Sequence, residues 1–221
     1  MNTGVHVVAI DGPSGTGKST VARAVADALD LPVLDTGAMY RAITLAVLER
    51  KIAPDDGGAA YDIARAATIE VEEGVTRIDG RDVSAEIRGP EVTAAVSAVS
   101  AHAPVREVLV ARQREWVAHH GGGVVEGRDI GTVVFPDAAV KVFLVADDAE
   151  RARRRQRDER DADRKVAVES VQDSLTRRDA LDSSRVVSPL RPADDAVVID
   201  TTDRTVADIT AEIADRYRAA G

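Results

Sequence analysis

Apolar residues run along this chain in two alternating rhythms, and the alternation predicts the architecture. Short apolar runs, mostly valine and isoleucine, occur at residues 5–10, 33–35, 123–126, 140–145 and 196–200. They lack the strict polar alternation of a strand with one wet face. Runs of this kind predict strands buried on both sides, the mark of a parallel sheet covered by helices. Between them the period lengthens. Val21, Val25, Ala28 and Leu29 share one face of a helical segment that stops at Leu31-Pro32, where proline forbids continuation. Residues 38–50 and 105–118 predict two more helices, and Val206, Ile209 and Ile213 mark an amphipathic one at the C-terminal end.

Strand and helix in alternation predict an α/β fold whose ligands gather at the carboxyl ends of the strands. Asp11, Asp35, Glu126 and Asp200 stand at such ends. One stretch breaks the rhythm: Thr68-Ile69-Glu70-Val71 and Val75-Thr76-Arg77-Ile78-Asp79-Gly80 flank a Glu72-Glu73-Gly74 turn and predict a hairpin, hence an inserted subdomain. Residues 151–164 are crowded with arginines and acids and offer almost nothing for a core. Taken alone, that run reads as a solvated helix face laced with i,i+4 ion pairs.

Composition narrows the partners. With 221 residues, 44% of them hydrophobic, the chain can bury a sizeable core. A net charge of -9 and an isoelectric point near 5.0 exclude a general surface for polymeric nucleic acid, which needs a basic footprint. An anionic ligand must therefore meet a local arginine cluster. The absence of cysteine removes disulfides, thiolate catalysis and thiolate metal sites together. No run is apolar enough to span a bilayer, and the opening residues do not pair a charged stretch with an apolar one. The expectation is a cytoplasmic protein without a membrane partner.

The chemistry begins at Gly12-Pro13-Ser14-Gly15-Thr16-Gly17-Lys18-Ser19, followed by Thr20, between the first predicted strand and the first predicted helix. The spacing fits the phosphate-binding loop G-x-x-x-x-G-K-[ST], whose backbone N–H groups fold around polyphosphate oxygens. Lys18 would reach the β- and γ-phosphates, Ser19 would ligate Mg²⁺, and the helix dipole would favour the anion. The bland alternative is a glycine-rich turn that happens to precede Lys-Ser. Asp11, beside the loop, is either an outer-shell partner of Mg²⁺ or a capping carboxylate.

A P-loop does not name its acceptor. Leu34-Asp35-Thr36-Gly37-Ala38-Met39-Tyr40-Arg41, Asp82-Val83-Ser84-Ala85-Glu86-Ile87-Arg88, Gly127-Arg128-Asp129-Ile130-Gly131-Thr132-Val133-Val134-Phe135-Pro136-Asp137 and Arg178-Asp179-Ala180-Leu181-Asp182-Ser183-Ser184-Arg185 with Ser188-Pro189-Leu190 resemble the signature segments of bacterial cytidylate (CMP) kinases. The resemblance spans essentially the whole chain. It implies a P-loop kinase fold, α/β, with a five-stranded parallel sheet flanked by helices, a small NMP-binding insert carrying the hairpin, and a short lid. Those parts map to a core of residues 1–61, 92–150 and 165–221, an insert of 62–91 and a lid of 151–164. It further implies a monomer that uses ATP and Mg²⁺ and accepts CMP and dCMP.

By the same resemblance Arg41, Arg128 and Arg185 hold the CMP phosphate, Thr36 keeps a hydroxyl where some relatives have serine, Asp129 accepts from the cytosine amino group, Ser97 and Arg106 complete the base contacts, and Arg178 and Asp182 meet the sugar. Lys18, Arg128 and Arg185 are the catalytic set, and Arg153, Arg154 and Arg155 are the lid arginines for ATP. The residue types suit the ligand, because a guanidinium fork matches a phosphate dianion and cytosine needs one acceptor beside several donors. If helical, the i, i+4, i+7 spacing puts Arg178, Asp182 and Arg185 on one face. Each arginine taken singly could be a surface ion pair. The four histidines lie outside these segments and read as solvated loop. Two rivals stay open: a kinase of another small acceptor such as UMP, AMP or shikimate on the same scaffold, and a nucleotide-sensing module that transfers nothing.

Overall fold

The computed structural model describes residues 5–72, 74–161 and 168–220. The chain divides into two compact units, residues 1–32 with 122–221, and residues 33–121. The sheet has the strand order β2-β6-β1-β7-β8, with β1 Val5–Asp11, β2 Val33–Asp35, β6 Gly123–Glu126, β7 Ala138–Val145 and β8 Val197–Asp200. In the first unit, β1 pairs in parallel with β6 and β7, and β7 pairs in parallel with β8. Val7, Val8, Ala9 and Ile10 of the central β1 are wholly excluded from solvent, which is why that run is continuous rather than alternating. On the edge strand β8, Val198 is exposed and Ile199 buried, so one face there is wet.

Helix α1, Lys18–Leu29, buries Val21, Ala22, Val25 and Ala26. It ends where Asp30 turns left-handed at φ 52°, and Leu31 N–H donates to the Ala26 carbonyl. Against α1 packs α8, Val206–Ala220, which presents Ile209, Ile213 and Ala214. Helices α6, Asp148–Asp161, and α7, Val168–Ser183, pack on each other. The charged run from residue 151 is thus helical, and its first turn enters the interior. Ala152 is fully buried and Arg151 nearly so, which corrects the expectation of a stretch with almost nothing for a core. Residues 162–164 of the expected lid lie outside the described residues.

In the second unit, Asp35 caps α2, Thr36–Glu49, by accepting from Ala38 N–H at 3.0 Å. Helix α2 is buried on most of its circumference, through Met39, Ala42, Ile43, Ala46 and Val47 among others. Helix α3, Gly57–Ala66, follows, capped by Asp56. The predicted hairpin is present as β3, Ile69–Glu72, antiparallel to β4, Val75–Ile78, and a short β5, Arg81–Asp82, extends it. Helices α4, Pro90–Val99, and α5, Ala103–His120, complete the unit. None of the four histidines lies in a solvated loop. His6 is in β1, His102 precedes α5 and donates through Nε2 to the Pro54 carbonyl (2.9 Å), and His119 and His120 form the last turn of α5.

Candidate active site

The P-loop joins β1 to α1 and takes its shape from positive φ at Gly12, Gly15 and Gly17. At Gly12 packing adds to conformation, because a Cβ there would lie 2.3 Å from the Leu144 carbonyl oxygen of β7. No side chain caps α1, so its first turn faces the loop as an anion-binding helix end. The loop finds partners in its own backbone and in α7. Lys18 Nζ donates to the Pro13 carbonyl at 2.7 Å, Thr16 Oγ1 donates to the same oxygen at 3.1 Å, and Ser14 N–H donates to Asp179 of α7 at 3.2 Å. Burial and the Arg128 guanidinium bring the Lys18 ammonium down to about 7, with Glu126 pulling the other way.

Ser19 Oγ donates to Glu126 Oε2 at 3.0 Å. This hydroxyl and carboxylate form an all-oxygen donor pair at the end of β6, which suits Mg²⁺. No cluster of three or more His, Asp or Glu suited to a metal occurs among the described residues. Asp11 does not join that pair. Both its oxygens are used on backbone, accepting from Ile130 N–H at 2.9 Å and Gly131 N–H at 2.8 Å, so of its two expected roles the structure shows the capping one.

Beside the loop lies a cavity of about 370 Å³ lined by Gly15, Gly17, Thr20, Arg154 and Thr201, among others. Arg154 is fixed there through Nη1 to Thr201 Oγ1 at 2.9 Å, Nη2 to the Thr201 carbonyl at 2.7 Å, and Nε to Glu150 at 3.0 Å. Arg153 turns outward instead, 64% exposed and paired with Glu150, while Arg155 is half-buried on the same helix. Arg151 is inward and pairs with Asp179.

The predicted acceptor residues divide between the units. Arg128, Asp129, Arg178, Asp182 and Arg185 belong to the first. Buried Asp182 is their hub, receiving Arg128 Nε at 3.1 Å and the Arg185 guanidinium. Burial and the neighbouring Arg128 lower Arg178 to about 10. Helix α7 ends at Ser183, so Arg185 lies past the helix and meets Asp182 from the following turn, not from a shared helical face. Asp129 is buried just before one turn of π-helix, Ile130–Val134. In the second unit Arg41 donates to the Ile87 carbonyl at 2.9 Å and to Thr93 Oγ1 at 3.0 Å. Arg106 donates to the Ser100 carbonyl at 3.2 Å and stands 5.3 Å above the Tyr40 ring. Thr36 opens α2 and Ser97 lies on α4, both buried.

Sequence reasoning passed over three participants. Glu126 was visible as a carboxylate at a strand end, and Asp179 lay inside a signature segment. Thr201 carried no signal of its own.

A family profile described as cytidylate kinase matches residues 8–219. The chain is 52% identical over 216 residues to the cytidylate kinase of Mycobacterium avium (strain 104), covering 96% of this chain and 95% of that protein. It is 48% identical over 220 residues to the bifunctional pantoate ligase/cytidylate kinase of Trichormus variabilis, covering 96% of this chain and 41% of that protein. It thus spans about two fifths of the length of that relative. Among solved structures, a gluconokinase from Sinorhizobium meliloti aligns with a TM-score of 0.50 at 14% identity over 97% of this chain and 93% of that one, which speaks for the fold alone. With a profile match over nearly the full length and half of all residues shared with a named member, this chain belongs to the cytidylate kinase family.

Proposed function

We propose that this chain transfers the γ-phosphoryl group of ATP to CMP or dCMP, giving ADP and CDP or dCDP. The observation that carries this reading is the joint presence of a P-loop and the Arg128–Asp182–Arg185 hub within one family-matched chain. Phosphoryl transfer proceeds through a loose transition state with charge spread over the moving group, so positioning and charge neutralisation do the catalysis. No protein nucleophile is needed.

In this reading Gly12 to Thr20 cradle the triphosphate, and Lys18 leaves its contact with the Pro13 carbonyl to follow the migrating group. Ser19, steadied by Glu126, would hold Mg²⁺, which would supply screening of the polyphosphate charge. Arg154, with Arg153 and Arg155 on the same helix, borders the ATP site, and closure of this lid excludes water. Arg41, Arg128 and Arg185 bind the CMP phosphate, and Thr36 adds a hydroxyl. Arg178 and Asp182 take the sugar. Asp129 accepts from the cytosine amino group, with Ser97 and Arg106 at the base. The NMP-binding insert at 62–91, the lid at 151–164, a monomeric state and a cytoplasmic location belong to the same reading. Among the described residues no helix is long and apolar enough to cross a membrane.

The test is ADP release measured by a coupled assay with CMP, dCMP, UMP, AMP and no acceptor. CMP- and dCMP-dependent turnover well above the others is expected. Preference for UMP or AMP would assign another acceptor, and ATP binding without acceptor-dependent turnover would make the chain a sensor.

A further inference from the structure

We infer that Asp11 is a positioning residue for the acceptor, acting through the Ile130–Gly131 backbone to fix where Arg128 and Asp129 point. The inference rests on the acceptor roles proposed above for those two residues. Asp11 ends β1, and its carboxylate reaches a turn 119 residues further along the chain. Oδ1 accepts from Ile130 N–H at 2.9 Å and Oδ2 from Gly131 N–H at 2.8 Å. These are the first two N–H groups of the π-helical turn Ile130–Val134, and the leading groups of any helix have no partner within it.

The residue placed to cap that turn by sequence is Asp129, since aspartate before a first helical residue ordinarily accepts from the N–H groups that follow. It does not do so here. Asp129 makes no side-chain cap bond, and its carbonyl accepts the turn's later bonds from Val133 at 2.9 Å and Val134 at 3.2 Å. Asp11 has taken over the capping, and the Asp129 carboxylate is buried in the same place.

The turn is held from its other side as well. A Cβ on Gly131 would stand 3.3 Å from Cγ and Cδ of Lys141 and 3.5 Å from Asp11 Oδ2. The Lys141 stem cannot retreat freely, because its ammonium is tied to Asp195 at 2.7 Å and its side chain is only 9% exposed. The turn that follows Arg128 and Asp129 is seated between a carboxylate and an aliphatic stem, and either wall can be altered without touching a predicted ligand contact.

Two substitutions test this from opposite walls. Asp11→Asn keeps the shape but offers one acceptor and one NH₂, so one backbone N–H meets a donor. Gly131→Ala changes no charge and pushes the turn off Lys141. Steady-state kinetics should show KM for CMP raised roughly tenfold or more in both, the CMP-to-UMP ratio of kcat/KM reduced, and KM for ATP within about twofold of wild type. Unchanged constants for CMP would overturn the inference. So would an equal rise in KM for ATP, which would mean that Asp11 acts on the adjoining P-loop. Amide hydrogen exchange by NMR gives a readout independent of turnover. The Ile130 and Gly131 amides should exchange at least about tenfold faster in Asp11→Asn, and unaltered exchange refutes the clamp even if one variant folds poorly for assay. Should wild type itself show no CMP-dependent turnover, the functional reading fails while faster exchange in the variant still upholds the clamp.

Discussion

Replacing Asp182 with asparagine tests the arginine hub most directly. The carboxylate is 2% exposed and receives Arg128 Nε at 3.1 Å together with the Arg185 guanidinium, whose side chain is 7% exposed. Removing one member of a buried ion pair costs about 3–5 kcal/mol, because the remaining charge keeps its desolvation penalty and loses its compensation. Asparagine retains one carbonyl for one guanidinium but turns an NH₂ toward the other, so the lower figure, about 3 kcal/mol, is expected. For a chain of this length that is a fall in Tm of roughly 6–12 °C. Denaturant and thermal unfolding measure it, and the same preparation assayed with CMP should show a raised KM, since both forks lose the anchor that aims them. A stability loss below about 1 kcal/mol with an unchanged KM for CMP would refute the reasoning. The carboxylate would then be screened by solvent and would hold neither arginine.

Three further outcomes are expected. Asp129→Asn should lower CMP turnover more than UMP turnover, because the amide can donate to the uracil carbonyl where a carboxylate would repel it; an equal fall for both would place base recognition elsewhere. Arg154→Ala should raise KM for ATP several-fold while Arg153→Ala changes neither KM nor stability beyond about 0.5 kcal/mol, since the first is locked to Thr201 and the second is mostly in water; equal effects would contradict that division. Burial raises the Asp11 carboxyl to about 6 from 3.8, so the folded chain holds this proton to higher pH than the unfolded chain does. Its contribution to stability therefore falls as pH rises from about 4 to about 6, by about 3 kcal/mol, and is level above that. Asp11→Asn should lack this slope when unfolding is compared across that range, and parallel curves for the two proteins would exclude it.

What the sequence made legible follows from how each part is stabilised. The strand β1 could be read because both its faces are covered, which leaves no polar position in Val7-Val8-Ala9-Ile10. The P-loop could be read because its constraints are local, as could the pairing of the hairpin strands, while residue 73 of the expected turn lies outside the described residues. Helix α3 went unread, since Gly57-Gly58-Ala59-Ala60 has neither strong periodicity nor high propensity at its start, and only the capping Asp56 announces it. The π-helical turn was beyond reach, because the group that holds it arrives from β1. The same holds for Arg151, whose burial depends on Asp179 in another helix. Asp182 and Arg185 were found by motif. That the carboxylate serves arginines 54 positions apart in one case and three in the other was visible only in space.

The crowding at Gly12 bears on what selection can act upon in this chain. Its missing Cβ is demanded by the Leu144 carbonyl of β7, a neighbour that belongs to the sheet and is present whether or not any nucleotide is bound. Gly17 differs: its nearest obstacle is the end of the Arg154 side chain at 3.6 Å, and its restriction is mainly the left-handed φ of 87°. A chain descended from this one that had lost all catalysis would still be held to glycine at position 12 for as long as the sheet persisted, whereas position 17 could drift toward asparagine, which tolerates that conformation. A library scored only for folding should separate the two positions before any substrate is added.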